Sequence, residues 1–169
     1  PLDMNNGMFD LRQGKTTRVD CNFAVPSTVA SEAARTLITF SGVTILPDIP
    51  EYYKKYPELL RFISAQKMPW VDSKTLAGEI GEYIVMMRQT EEAWLIGAVT
   101  NELARTVEIP LSFLPEGNFA AQITKDGEDA HYFVNRESCQ TIEESVNRKA
   151  VLKLDLAAGG GACVLIQKK

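Results

Sequence analysis

Two hydrophobic periods divide this chain. Between Val25 and Gln66 apolar residues recur every three or four positions, and from Trp70 onward they alternate with polar ones. In the first stretch Val29, Ala33, Leu37 and Phe40 lie four, four and three residues apart, with Ala30, Ala34 and Ile38 beside them. That spacing predicts a helix with a wide apolar face of small residues, suited to close packing on a sheet. Pro26 with Ser27 or Thr28 marks its start, because a hydroxyl there accepts from an early helical N–H, and Gly42 marks its expected stop. Val43-Thr44-Ile45-Leu46 is a short apolar run closed by Pro47. A second helical region is expected over residues 48–66. Asp48 is its candidate cap, Pro50 is tolerated in a first turn, and Pro57 breaks or restarts it. Leu59, Leu60, Phe62 and Ile63 supply the apolar face. Tyr52, Tyr53 and Tyr56 read as wall residues with wet hydroxyls.

From Trp70 the period is two. Tyr83, Val85 and Met87 alternate with Ile84, Met86 and Arg88; Val107, Ile109, Leu111 and Phe113 alternate with Glu108, Pro110 and Ser112. Pro110 therefore belongs on an edge or at a bulge. Phe119, Ala121 and Ile123 follow, then an expected turn at Lys125-Asp126-Gly127. Leu152, Leu154 and Leu156 alternate with Lys153 and Asp155, and Gly159-Gly160-Gly161 leads into Ala162-Cys163-Val164-Leu165-Ile166. Seven or eight short strands with frequent turns in about 100 residues describe an antiparallel sandwich or barrel. The expected class is α+β: a helical segment over residues 1–66, then an antiparallel β-sandwich over residues 67–169.

Composition narrows the function classes. The chain has 169 residues, 45% apolar and 24% charged, with a net charge of −4. No block of five like charges occurs, so there is no basic arm for nucleic acid. No apolar run approaches the ~18 residues of a membrane-spanning helix. The chain begins at Pro1 with no signal-peptide pattern, which reads as a cut inside a longer chain or a processed product. Cys21, Cys139 and Cys163 are far apart, and His131 is the single histidine, so the common zinc spacings are absent. Three unpaired, mostly buried thiols are expected.

No candidate chemistry stands on the residues alone. Gly159-Gly160-Gly161 lacks the lysine of a phosphate loop and reads as a tight backbone approach into a strand. His131 has no nucleophile motif to serve. Glu79 with Glu82, Glu91 with Glu92, and Glu143 with Glu144 are the carboxylate pairs a glycosidase would need, each in a polar surface context. Asn6-Gly7 is a tight-reversal signal. Trp70, Trp94 and Tyr132 are the aromatics a free-standing carbohydrate-binding or structural β-sandwich module would use.

The motif series carries more. Met68-Pro69-Trp70-Val71-Asp72-Ser73-Lys74-Thr75-Leu76, Gly78-Glu79-Ile80-Gly81-Glu82-Tyr83-Ile84-Val85 and Trp94-Leu95-Ile96-Gly97-Ala98-Val99-Thr100 resemble glycoside hydrolase family 97. So do Ala104-Arg105-Thr106, Leu111-Ser112-Phe113-Leu114, Lys125-Asp126-Gly127 and Leu156-Ala157-Ala158-Gly159-Gly160-Gly161-Ala162. Upstream, residues 2–11 and Asp48-Ile49-Pro50-Glu51-Tyr52-Tyr53 look like the end of that family's catalytic barrel. The resemblance implies an N-terminal β-supersandwich, a (β/α)8 barrel and a C-terminal antiparallel β domain, with residues 1–66 as the terminal part of the barrel and 67–169 as the C-terminal domain. It implies a bacterial α-glucosidase or α-galactosidase, periplasmic or secreted, with a bound calcium ion. The family's catalytic carboxylates and calcium ligands precede the segment matching Leu2-Asp3, so this chain is expected to hold no catalytic residue and no metal ligand. Barrel sites lie at the C-terminal ends of strands, which leaves Asp3, Asn5 and Asn6 as candidate substrate contacts. Met4-Asn5-Asn6 departs from the family's usual tyrosine-threonine-proline. The expected partners are the remainder of the glycosidase, or a second copy, and an oligosaccharide in the parent.

Overall fold

The computed structural model describes residues 5–11 and 25–169. Three helices come first: α1 (Val29–Ile38), α2 (Pro50–Tyr53) and α3 (Pro57–Ser64). Eight strands follow: β1 (Asp72–Glu79), β2 (Tyr83–Gln89), β3 (Trp94–Thr100), β4 (Arg105–Pro110), β5 (Phe119–Asp126), β6 (Cys139–Val146), β7 (Val151–Leu156) and β8 (Gly161–Lys168). Every pairing is antiparallel. One sheet has six strands in the order β1-β2-β3-β8-β5-β6, and the other is the β4-β7 pair. Pro110 sits at the end of β4, as its missing N–H requires.

The six-stranded sheet is the middle of three layers. One face packs on β4-β7, burying Val85, Ile96, Phe119 and Val164 against Leu152 and Leu154. The other face takes the helices, with Val29, Leu37, Leu59 and Phe62 against Leu95 and Leu165. Strands β3 and β8 are thus covered on both faces, and a strand covered twice must be apolar at both parities. This is why 94–99 and 161–166 read as near-continuous apolar runs. Strand β7 has one wet face and keeps strict alternation.

Helix α1 starts where the hydroxyl pattern places it. The Thr28 side chain accepts from Ser31 N at 3.2 Å, while Thr28 O accepts from Glu32 N. It stops at Ile38, four residues before Gly42, because Thr39 turns extended at φ −82° and ψ 120°. The exposed helix-end carbonyls are satisfied from the sheet. Arg88 on β2 donates to Leu37 O and Ile38 O, and also to the Ser73 hydroxyl on β1. Its guanidinium lies 4.2 Å from the centre of the Trp70 ring, which meets Phe40 edge-on. A cation at a helix C-terminus is well placed against the helix dipole.

The second helical region is two helices, with Pro50 and Pro57 each in a first turn. Asp48 is not a cap. The capping position of α2 is Ile49, without a side-chain bond. The Asp48 carboxylate instead accepts from Phe9 N and Asp10 N at 3.1 and 2.7 Å, pinning a chain segment 38 or 39 residues away. Nor is Tyr53 wet. It is buried, donates to Gly7 O at 3.0 Å and accepts from Asp48 N at 3.1 Å. Lys125 and Asp126 are not a turn; they are the last two residues of β5.

Candidate functional site

Among the described residues Asp126 is a tightly bonded buried polar group. It is only 3% exposed, on the helix-facing side of the sheet. Its Oδ1 accepts from the Thr28 hydroxyl at 2.6 Å. Its Oδ2 accepts from Ala157 N at 2.9 Å and Gly161 N at 2.7 Å. One carboxylate thus ties the start of α1 to the β7–β8 turn. The glycines there serve this approach: a Cβ on Gly160 would strike the Asp126 carboxylate, and one on Gly161 would lie 2.6 Å from Ser31 Cα. Burial lifts the Asp126 carboxyl above its ordinary range, and its three donors oppose that shift. Both carboxylate oxygens are taken up by those donors, so it acts as a fastening of the fold, beside a cleft of about 420 Å³ that His131 and Gln140 also line.

A second fastening holds the N-terminal segment. Gly7 N donates to Glu32 Oε2 at 3.2 Å, inside the buried face of α1. Gly7 has φ +96°, the positive value favoured at an Asn-Gly step. With Asp48 on Phe9 and Asp10, and Tyr53 on Gly7, three side chains grip residues 7–10. Burial among these groups pushes the Tyr53 hydroxyl up to about 12. Just before this grip, Asn6 reaches the rim of a cleft of about 610 Å³. Its walls include Arg35 and Ile38 of α1, Glu79, Glu82 and Tyr83 of the β1–β2 hairpin. Asn5 is exposed and is not among the cleft residues. Asp3 lies outside the described residues.

The remaining sequence candidates do not converge. Glu79 and Glu82 share the cleft rim, but Glu82 is bound by Arg105 at 3.0 Å. Glu92 pairs with Lys67 at 2.9 Å. Glu143 and Glu144 are adjacent on β6 and so point to opposite faces. His131 Nδ1 accepts from Phe133 N at 3.1 Å, and the ring stacks on Tyr132. The three aromatics form no open row. Trp94 is in the core against Phe119, Trp70 lies under Arg88, and Tyr132 is on the β5–β6 loop. Cys139 and Cys163 are free thiols; burial pushes Cys139 up to about 11 and lifts Cys163 well above its ordinary range. Cys21 lies outside the described residues. Among the described residues no three His, Cys, Asp or Glu side chains are grouped to hold a metal ion. The calcium implied by the resemblance therefore has no cradle among them. No helix among them is long and apolar enough to cross a membrane.

Sequence reasoning missed Asp126 and Arg88. A signal existed for both. Gln122, Thr124 and Asp126 share one parity of β5, and Ile84, Met86 and Arg88 share one parity of β2. Once that face is known to be covered by helices, polar residues on it must be bonded.

Comparison with known proteins fits this architecture. Residues 69–167 match the family described as glycosyl-hydrolase 97 C-terminal, oligomerisation. The chain is 34% identical over 127 residues to a retaining alpha-galactosidase of Bacteroides thetaiotaomicron, covering 75% of this chain and 19% of that protein. A probable retaining alpha-galactosidase of Streptomyces bingchenggensis is 31% identical over 100 residues, 59% of this chain and 16% of that one. A glycoside hydrolase family 97 enzyme from Pseudoalteromonas sp. strain K8, solved with acarbose, superposes with a TM-score of 0.88 at 31% identity. That match covers 99% of this chain and 26% of the enzyme. The chain thus spans about a sixth to a quarter of the length of these relatives. It belongs to glycoside hydrolase family 97, and residues 69–167 are the family's C-terminal oligomerisation domain.

Proposed function

We propose that this chain is the C-terminal part of an α-glycoside hydrolase, where it braces the catalytic barrel and helps assemble subunits and does not itself cut the glycosidic bond. The observation that carries this is the open apolar run after α1. Phe40, Val43 and Ile45 are 44%, 73% and 65% exposed, whereas the sheet-facing Val29, Ala33, Leu37, Leu59 and Phe62 of the helices are buried. Such a run marks a contact surface, and the preceding part of the parent is its natural cover. Residues 1–66 then form the terminal part of the barrel and 67–169 the C-terminal domain. Asn6 at the cleft rim supports a substrate-side or interface role for Asn6 more than for Asn5, and Asp3 remains a candidate on the resemblance alone. The names of the curated relatives favour an α-galactoside as the parent's substrate, and the acarbose-bound relative keeps α-glucosides in view. The two catalytic carboxylates and the calcium site belong, in this reading, to the preceding chain. A periplasmic or secreted location rests on the resemblance alone.

Two measurements test it. The pure chain should give no turnover of aryl α-galactosides or aryl α-glucosides, and robust turnover would overturn the bracing role. Co-expressed with the preceding portion of the parent, it should form a stable complex that a Val43→Asp, Ile45→Asp double variant weakens. An unweakened complex would remove the contact surface from the argument.

A further inference from the structure

The oligomerisation domain offers four free strand edges, and three of them are guarded. Strand β1 carries Lys74, Gly78 and a register shift between Thr75 and Ala77. Strand β4 carries Arg105 and ends on Pro110. Strand β7 is six residues long with Lys153 outward. Lysine, proline, glycine, short length and bulges are the devices that keep a strand edge from pairing with another chain. Strand β6 has no lysine, proline, glycine or bulge and is not short; its only charges are Glu143 and Glu144. Cys139-Gln140-Thr141-Ile142-Glu143-Glu144-Ser145-Val146 is eight residues long and pairs with β5 in unbroken register from Asp126↔Cys139 to Phe119↔Val146. Among the described residues nothing pairs with its outer edge.

We infer that β6 is the edge on which two copies of this chain join, antiparallel about a two-fold axis at Ile142, extending the sheet across the pair. The inference rests on the oligomerisation reading above and assigns its surface. A two-fold strand pair must be self-complementary, and this register is. With Ile142 opposite its own copy, Thr141 faces Glu143 and Gln140 faces Glu144 of the second copy. The acidic positions meet a hydroxyl or an amide and never each other. About an axis one residue further on, at Glu143, the two copies of Glu143 would face each other, and like charges directly opposite are unfavourable. Ile142 is the single large apolar side chain on the outer part of the strand and is 47% exposed. It stands beside Ile123 on the face that packs toward β4-β7. The axis would bring two Ile142 side chains together there, continuing the row of that core. Backbone hydrogen bonds along the strand supply the remaining contact, as in other strand-addition interfaces.

The full 169-residue chain serves for the test. Sedimentation equilibrium should show a reversible dimer, and Ile142→Lys should raise its dissociation constant about tenfold or more by placing two ammonium groups on the axis. At protein concentrations where the wild type is monomeric the melting curve should shift only slightly, since Ile142 is 47% exposed in the single copy. In a Cys21→Ser, Cys139→Ser background, Ile142→Cys should cross-link to its own copy on mild oxidation, because directly opposite Cβ atoms lie about 4.5–5.5 Å apart. Thr75→Cys on β1 should not. A dimer indifferent to Ile142→Lys, or one cross-linked through Thr75→Cys, overturns the β6 assignment while leaving self-association standing. A chain that stays monomeric at every concentration overturns both.

Discussion

Asp126 is a place where a single substitution should cost a great deal. Asp126→Ala strands three buried donors at once: the Thr28 hydroxyl, Ala157 N–H and Gly161 N–H. Each unsatisfied buried donor costs about 1–3 kcal/mol. The wild-type carboxylate also bears a desolvation cost that the alanine removes, so the net loss should be about 3–5 kcal/mol, the range seen when one partner of a buried charged cluster is deleted. Against a total stability of about 5–15 kcal/mol this is a large fraction. Asp126→Asn keeps the volume. Its carbonyl can accept from the two backbone N–H groups while its amide donates to Thr28 Oγ1, so the loss should be about 1–2 kcal/mol. Urea unfolding followed by far-UV circular dichroism gives both numbers. An alanine cost under about 1 kcal/mol, or an asparagine variant weaker than the alanine one, would refute the fastening role.

The same pair carries a pH prediction. Burial raises the folded-state pKa of Asp126 above its ordinary carboxylate value. A group raised on folding contributes stability that is fully present below its unfolded pKa and is lost as pH rises through the folded one. Asparagine does not titrate. The stability of wild type relative to Asp126→Asn should therefore shrink as pH climbs from the acid side through the raised value. A difference that widens over that window would mean the three donors outweigh burial.

Two further variants probe the other fastenings. Arg88→Met removes the sheet-borne cap from Leu37 O and Ile38 O and should destabilise by about 1–3 kcal/mol, with Trp70 fluorescence shifted because the guanidinium on its ring is gone; unchanged emission would place Trp70 elsewhere. Tyr53→Phe breaks the bridge between Gly7 O and Asp48 N at a cost of about 1–2 kcal/mol and should speed proteolysis near residues 5–11 while leaving the sheet region protected; equal cleavage rates would show that Glu32 and Asp48 suffice.

The strands were legible because their chemistry is local. Alternation found β2, β5 and β7, and continuous apolar runs found β3 and β8, since coverage on one face or two writes directly into the sequence. The hydroxyl before α1 and the prolines of α2 and α3 were equally direct. What failed was long-range. Gly42 looked like a helix stop because its residue type suits one, yet the helix ends at Ile38, where Thr39 turns extended and Arg88 from β2 satisfies the last carbonyls. Asp48 looked like a cap and is spent on Phe9 and Asp10. Lys125-Asp126-Gly127 looked like a turn from composition, and only the helix layer above reveals Asp126 as interior. Polar residues advertise a local use and a distant use with the same letter, whereas apolar ones advertise only burial.

That asymmetry bears on how the two parts of the chain are joined. The change of period at Met68 marks a change of secondary structure, yet one hydrophobic cluster crosses it, from Phe9, Leu37 and Phe62 to Leu95, Cys163 and Leu165. Asp126, Arg88 and Gln122 cross it with polar contacts to Thr28, Leu37 and Glu58. Peeling the helices from the sheet would expose the second face of β3 and β8, at about 25 cal/mol per Å² of apolar surface, and strand a buried carboxylate and a guanidinium as well. The helix layer and the sheet therefore behave as one rigid body. If copies join through β6 at the far edge of that body, the axis dictates the orientation of whatever the open face of Phe40, Val43 and Ile45 carries. On the proposed reading, a C-terminal domain built this way would position the parent's catalytic units relative to one another, where a flexible tether would only keep them close.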